Sequence, residues 1–360
     1  MLIYISYFIF LAFLAIEYNY RPFDNRLVLP FVILALALLA GLRGPDLDKD
    51  YQNYQDSFIY IDEIIRLSNG IIPNYEPGFL AIVIILKKLF QQNYGVAIML
   101  FYAFASVLLK VAVIKKYAIN PYLVILFYYS SYFLLHEMTQ IRIGFASAIF
   151  LYSIRFFLKG ERFKYILFIL LAALFHYSAI LCLLVLIFDT KVFYRFVYIG
   201  IIVLSFILAF IKLPLASYVS NNMDPTGGKV DIYITLADSG FLESVHVFNF
   251  VTLSNLFCLL YIMFFVPKAM LLSDKKLNLF FKSNLLSIFM LSFFSGVPGF
   301  SSRVSEMFAI VSIFLFAYLE KYLPFGKYNV FVVILLAGMI FYITLFYGEL
   351  LSSYHTVNII

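Results

Sequence analysis

The chain has 360 residues, of which 64% are hydrophobic and only 13% charged, and its mean hydropathy is +0.97. Soluble domains sit near half apolar and a quarter charged, so this balance excludes a soluble globular protein and predicts an all-α, polytopic transmembrane helical bundle. The net charge of +6 is read as the lysine and arginine bias of cytoplasmic loops, not as a surface for nucleic acid. With 43 Phe, 29 Tyr and no Trp, tyrosine must supply any interfacial aromatic belt. Cys182 and Cys258 both lie in apolar runs and read as core packing.

In chain order, residues 2–17 lack a basic n-region and a small-x-small cleavage site, so they read as a first transmembrane helix and not as a removed signal peptide. A crossing takes about 20 residues over about 30 Å of hydrocarbon. Apolar runs near that length follow at 27–42, 95–114, 120–135, 142–158, 196–212, 246–266, 280–296, 304–320 and 328–347. Two regions break the pattern. Residues 77–90 (PGFLAIVIILKKLF) are too few for a comfortable crossing and read as a short dipping helix. Residues 163–188 are apolar but interrupted at Phe175-His176-Tyr177-Ser178, which fits one long helix or two short ones. About 10–13 membrane segments are expected in all, within a single multi-pass domain over 1–360.

Charge sets the sidedness. The basic turns Arg21/Arg26, Lys115/Lys116, Lys159/Arg162/Lys164, Lys191/Arg195, Lys268/Lys275/Lys276/Lys282 and Lys321/Lys327 all fall on the cytoplasmic face under two conditions. The 77–90 stretch must return to its starting face, and 163–188 must turn back near His176. The opposite face then collects residues 43–94, 136–141, the turn near His176, a second loop at 213–245, and 296–303. It holds Asp46, Asp48, Asp50, Asp56, Asp62, Glu63 and Glu76.

Ionisable groups at membrane depth are costly and mark candidate sites. The first cluster is GLRGPDLDKDY (41–51) with its continuation to Tyr54. Arg43 offers a planar fork of donors suited to phosphate oxygens, and Asp50, Tyr51 and Tyr54 offer acceptors and rings for sugar. An internal ion-pair network at a helix end is the other reading. The second is HEMTQIRIG (136–144), where Arg142 opens a helix beside free N–H groups and His136 and Gln140, four apart, share a face of any helical turn. Glu137 lies in the same turn. The third, ALFHYSAI (173–180), carries His176, suited to act as a general base, with Ser178 to orient it; a core histidine bonded to a carbonyl is the alternative. In the fourth, SGVPGFSSRVSEMF (295–308), glycine and proline break the helix before Arg303, with Glu306 three residues on, as an anion corner or an intrahelical pair. The four histidines show no metal-ligand spacing, and neither a Walker loop nor a dinucleotide glycine motif is present.

The ordered set GLRG…DKDYQNY, NYEPGF, QIRIGFASAIF, AALFHYSAI and SSRVSEMF, over roughly residues 20–320, resembles the EpsG-type Wzy polysaccharide polymerases. In that family the arginine before a Gly-Thr-Asp-Tyr-x-x-Tyr pattern maps to Arg43, and the end of that pattern to Asp50, Tyr51 and Tyr54. Glu-Pro-Gly maps to Glu76, Pro77 and Gly78, Gln-x-Arg-Gln to Gln140 and Arg142, and Phe-His-x-Ser-Ala to Phe175, His176, Ser178 and Ala179. The chain departs from the family at Asp48-Lys49, where Gly-Thr is usual, and at Ile143, where glutamine is usual. The resemblance implies a membrane glycosyltransferase of GT-C-like architecture in the bacterial cytoplasmic (inner) membrane, with its site on the periplasmic or outer face. It would join oligosaccharide repeat units carried on undecaprenyl diphosphate, as donor and acceptor, without cofactor or metal. A chain-length regulator and a flippase belong to the same expected machinery. In this reading Arg43, Arg142 and Arg303 hold diphosphate, His176 is the base with Asp50 and Glu137 as substitutes, and Asp50, Tyr51, Tyr54 and Glu76 contact sugar. Gln140, Ser178 and Glu306 complete the candidate contacts, and 213–245 is expected to act as a lid. A lipid-linked oligosaccharide flippase and a membrane acyltransferase are the competing classes.

Overall fold

The computed structural model describes residues 1–63, 75–211, 246–297 and 299–357. The expected lid at 213–245 lies outside the described residues. All regular structure among the described residues is helical, apart from one isolated antiparallel bridge between Arg43 and Thr356. The elements are α1 (Leu2–Tyr20), α2 (Asn25–Gly41), α3 (Tyr51–Ile59), α4 (Pro77–Phe90), α5 (Tyr94–Tyr117), α6 (Pro121–Tyr128), α7 (Ile141–Leu158), α8 (Arg162–Ala173), α9 (Arg195–Ile211), α10 (Phe250–Phe265), α11 (Lys268–Ser273), α12 (Lys275–Phe293), α13 (Phe300–Ala309), α14 (Ser312–Tyr322) and α15 (Asn329–Tyr342). α6 runs on as a π-helix over Tyr129–Glu137, α15 likewise over Ile343–Tyr347, and a 3₁₀ segment covers Tyr177–Ile187.

The protein is a polytopic helical membrane protein. Four helical stretches, Leu2–Tyr20, Tyr94–Tyr117, Ile141–Leu158 and Gly326–Tyr347, are long and apolar enough to cross a bilayer, and α13 with α14 makes a fifth if the pair counts as one span. Shorter apolar helices cover Asn25–Gly41, Tyr177–Ile187, Arg195–Ile211 and Phe250–Phe265. Local chemistry sets several starts. The side chains of Asp24, Asn120, Asn249 and Asp274 each accept a first-turn N–H, and Pro77 and Pro121 sit where the missing N–H costs nothing. The 163–188 run is two elements: α8 ends at Ala173, and the chain resumes as 3₁₀ at Tyr177.

The chain divides into two compact units, Met1–Tyr177 with Phe316–Ile360, and Ser178–Leu315. In the first, α2 packs on α5, α5 on α7, α7 on α8, and α4 on α5. Gly41 makes the α2–α5 approach close, since a Cβ there would lie 2.8 Å from the Leu100 Cα. The two ends of this unit differ in charge. At one end the Tyr20 hydroxyl donates to the Lys327 carbonyl and Asn120 Nδ2 to the Ala15 carbonyl, which gathers the turns bearing Arg21, Lys115, Lys116 and Lys327. The other end carries the 42–50 loop and the C-terminal residues.

In the second unit, α12 packs against α9, α10 and α13. Its polar residues tie down the 189–192 loop: Asn278 Nδ2 donates to the Thr190 and Val192 carbonyls at 3.1 Å, and Lys282 Nζ to those of Asp189 and Val192.

Candidate active site

The site is built on Arg43, immediately after α2, and on the turn between the π-helix and α7. Arg43 is fully buried, and its guanidinium is held on three sides. Nε pairs with Asp48 Oδ2 at 3.0 Å, while Nη1 donates to the Ala40 carbonyl at 2.8 Å and the Glu137 carbonyl at 3.3 Å. Tyr51 lies under it, 5.9 Å from ring centroid to Cζ. Nη2 is buried without a partner. Asp48 is therefore not the solvated carboxylate that a charged surface loop predicts: its side chain has no exposure, and its Oδ1 accepts the Asp50 N–H at 2.9 Å. Burial raises the Asp48 carboxyl above its usual range, and the neighbouring Arg43 charge opposes that shift. Asp46, by contrast, is exposed and takes a positive φ of 61°. Asp50 is half-buried at the N-cap position of α3, with no side-chain capping bond, and α3 buries Tyr51 and Tyr54.

The second arginine does not stand free at a helix start. Arg142 Nη1 pairs with Glu76 Oε2 at 2.5 Å, with side-chain exposures of 21% and 5%. Three rings surround its guanidinium: Tyr75 at 5.3 Å, Phe79 at 5.4 Å and Tyr54 at 6.0 Å. A planar guanidinium can lie flat against rings and pair with a fixed carboxylate while keeping further donors directed elsewhere, which a point-like ammonium cannot do in the same plane. Nε of Arg142 is buried without a partner, as is Oε1 of Gln140 at the start of α7.

The Glu-Pro-Gly turn fixes the third strand of the site. Glu76 is the N-cap of α4, Pro77 its first residue, and the Gly78 N–H donates to the Leu174 carbonyl at 2.7 Å. A Cβ on Gly78 would sit 2.7 Å from that carbonyl oxygen, so backbone must approach backbone here. Gly78→Ala is expected to lower unfolding free energy by about 1–3 kcal/mol, as overpacking does, read by thermal unfolding of the detergent-solubilised protein. Leu174 precedes Phe175, whose ring meets Phe145 edge-on at 4.7 Å, and then His176, which is half-buried with its N–H bonded to the Ala172 carbonyl. Bonds and pairs thus join the Arg43 loop, the 137–142 turn, Glu76 and the His176 turn.

Several expectations change. His136 and Gln140 fall in different elements: His136 lies in the π-helical stretch Tyr129–Glu137, and Gln140 is the N-cap of α7, with its N–H bonded to the Leu135 carbonyl. His136 is fully buried with Nδ1 3.3 Å from the Ser147 hydroxyl. Glu137 turns inward: Oε1 accepts from Lys110 Nζ and the Ser106 hydroxyl, both at 2.5 Å, and Oε2 is buried without a partner. Lys110 is wholly buried and was not among the residues singled out in the sequence. Ser178 is buried at the start of the second unit, and Arg303 and Glu306, both half-buried, lie one turn apart on α13 of that unit. Among the described residues, no group of three His, Cys, Asp or Glu side chains is placed to hold a metal ion.

Fold and site together define a polytopic membrane protein with one buried and one half-buried arginine, each locked to a carboxylate beside tyrosine rings. The EpsG family profile matches residues 26–358, and the chain belongs to that family, a family of Wzy-like polysaccharide polymerases. Its activity is thus of the glycosyltransferase type, on lipid-linked sugars at a membrane. No curated protein and no solved structure matches the chain.

Proposed function

We propose that this protein joins undecaprenyl-diphosphate-linked oligosaccharide repeat units on the extracytoplasmic face of the bacterial cytoplasmic membrane, without a metal ion. The observation that carries this reading is the pair of orphaned donors, Arg43 Nη2 and Arg142 Nε. Each is buried and without a partner, on a guanidinium whose other contacts fix its plane. Buried donors are rarely left unmade, and these two are suited to oxygens of a diphosphate. The charge asymmetry of the first unit supports the orientation, because the end rich in lysine and arginine is the cytoplasmic one.

In the reaction, an acceptor hydroxyl oxygen attacks the anomeric carbon of the donor, and the bond from that carbon to the diphosphate oxygen breaks. The hydroxyl proton passes to His176, and negative charge develops on the departing lipid diphosphate. Arg43 and Arg142 are fixed before substrate arrives, so they stabilise that charge without reorganising. Tyr51, Tyr54 and Tyr75 offer ring faces to sugar beside Glu76. Glu137 belongs to the support of the site and not to the substrate contacts.

The test is complementation of a deletion strain with Arg43→Ala, Arg142→Ala or His176→Ala, reading surface polymer on gels. Short or absent polymer with single repeat units still displayed outside is expected. Unchanged polymer in all three overturns the site, and repeat units trapped inside the cell point to a flippase instead.

A further inference from the structure

Residues 352–357 pair with the Arg43 loop. The Gly44 N–H donates to the His355 carbonyl at 2.8 Å, the Val357 N–H to the Leu42 carbonyl at 3.0 Å, and the Ser352 N–H to the Leu47 carbonyl at 2.9 Å. The Ser352 hydroxyl adds a bond to the Asp46 carbonyl at 3.0 Å. Thr356 forms the antiparallel bridge with Arg43 itself. The His355 ring occupies the space where a Cβ on Gly44 would project, so a larger residue there would displace that ring from the loop. Tyr354 meets Tyr4 edge-on at 6.0 Å, and Leu351 is buried. A loop of this length between a helix and a short α3 has few bonds of its own, and its ordering would otherwise cost backbone entropy at each residue.

We propose that the C-terminal segment Leu351–Val357 is a positioning strap for Arg43. It supplies the partners that hold the backbone from Leu42 to Leu47, and thereby aims the guanidinium that Asp48, Ala40 and Glu137 complete. No other element supplies a backbone bond to Leu42, Gly44 or Leu47 from beyond α2 among the described residues. The strap acts through Arg43, so its functional consequence rests on the role given to Arg43 above, while its physical consequence does not.

Two variants separate the contact from general folding. Val357→Pro removes the N–H that binds Leu42, and Val357→Ala keeps it. With membrane levels matched, Val357→Pro is expected to lower polymer yield about tenfold and Val357→Ala to retain wild-type yield. In an Arg43→Ala background, Val357→Pro is expected to cause no further loss, because residues acting as one unit are not additive. Hydrogen exchange of the peptide spanning residues 42–50 is expected to accelerate in Val357→Pro. Unchanged exchange overturns the strap outright. Accelerated exchange with losses that multiply in the double variant overturns its action through Arg43. Full activity of Arg43→Ala overturns instead the role of Arg43 itself, and accelerated exchange still establishes the physical clasp.

Discussion

Arg142→Ala is expected to abolish polymer and to lower the unfolding free energy by about 3–5 kcal/mol, the range for removing one partner of a buried ion pair. The physical cause is Glu76, which is left with its carboxylate buried at 5% exposure and no cation at 2.5 Å. Three rings also lose the guanidinium that lies over them. Arg142→Lys separates the two effects. A lysine ammonium can neutralise Glu76 but cannot form the planar stack or keep a second donor aimed past the carboxylate. Melting temperature should therefore recover for the most part while polymer yield stays low. Full polymer from Arg142→Lys would remove the planar donor from the mechanism and leave only a charge. Arg142→Ala/Glu76→Gln should likewise regain much of the stability, since the uncompensated charge is gone, and still make no polymer.

The helical plan was readable because a bilayer demands long apolar runs, and little else in the sequence competes with that demand. The helix start after Gly299, which has a φ of 77°, was an equally local signal, while the interruption at Phe175-His176 left one helix or two open until the structure showed two. Partners distant in sequence were not readable. Glu76 and Arg142 are 66 residues apart, so a carboxylate assigned to sugar and an arginine assigned to phosphate turn out to neutralise each other. Asp48 stands in sequence between Asp46 and Lys49, both exposed, and the turn at Asp46 folds it back on Arg43. The i,i+4 argument for His136 and Gln140 failed because one helix ends at Glu137 and the next begins at Ile141, a boundary that no glycine or proline marks in HEMTQIR. The strap was missed for a simpler reason: LSSYHTV carries no charge pattern, and its value lies in backbone groups that any sequence possesses.

Lys110 was missed because it sits in an otherwise apolar stretch, five residues before Lys115 and Lys116, and reads as the leading edge of a basic helix end. The structure buries it completely against Glu137, with the Tyr128 ring 5.3 Å from Nζ. Lys110→Met is expected to cost about 3–5 kcal/mol, because Glu137 keeps a charge that the interior cannot solvate. Lys110→Met/Glu137→Gln should restore most of that loss. The glutamine carbonyl can still accept from the Ser106 hydroxyl, and replacing a buried pair by neutral groups of similar volume is often close to neutral. The Glu137 backbone carbonyl that receives Arg43 Nη1 survives in the double variant, so the arginine should stay in place and polymer should form. Thermal unfolding and polymer gels on the two variants therefore distinguish two roles for one carboxylate. A double variant that is stable and active makes Glu137 a support, held by Lys110 so that its main chain can orient Arg43. A double variant that is stable and makes no polymer places the unpartnered Oε2 among the atoms that meet substrate.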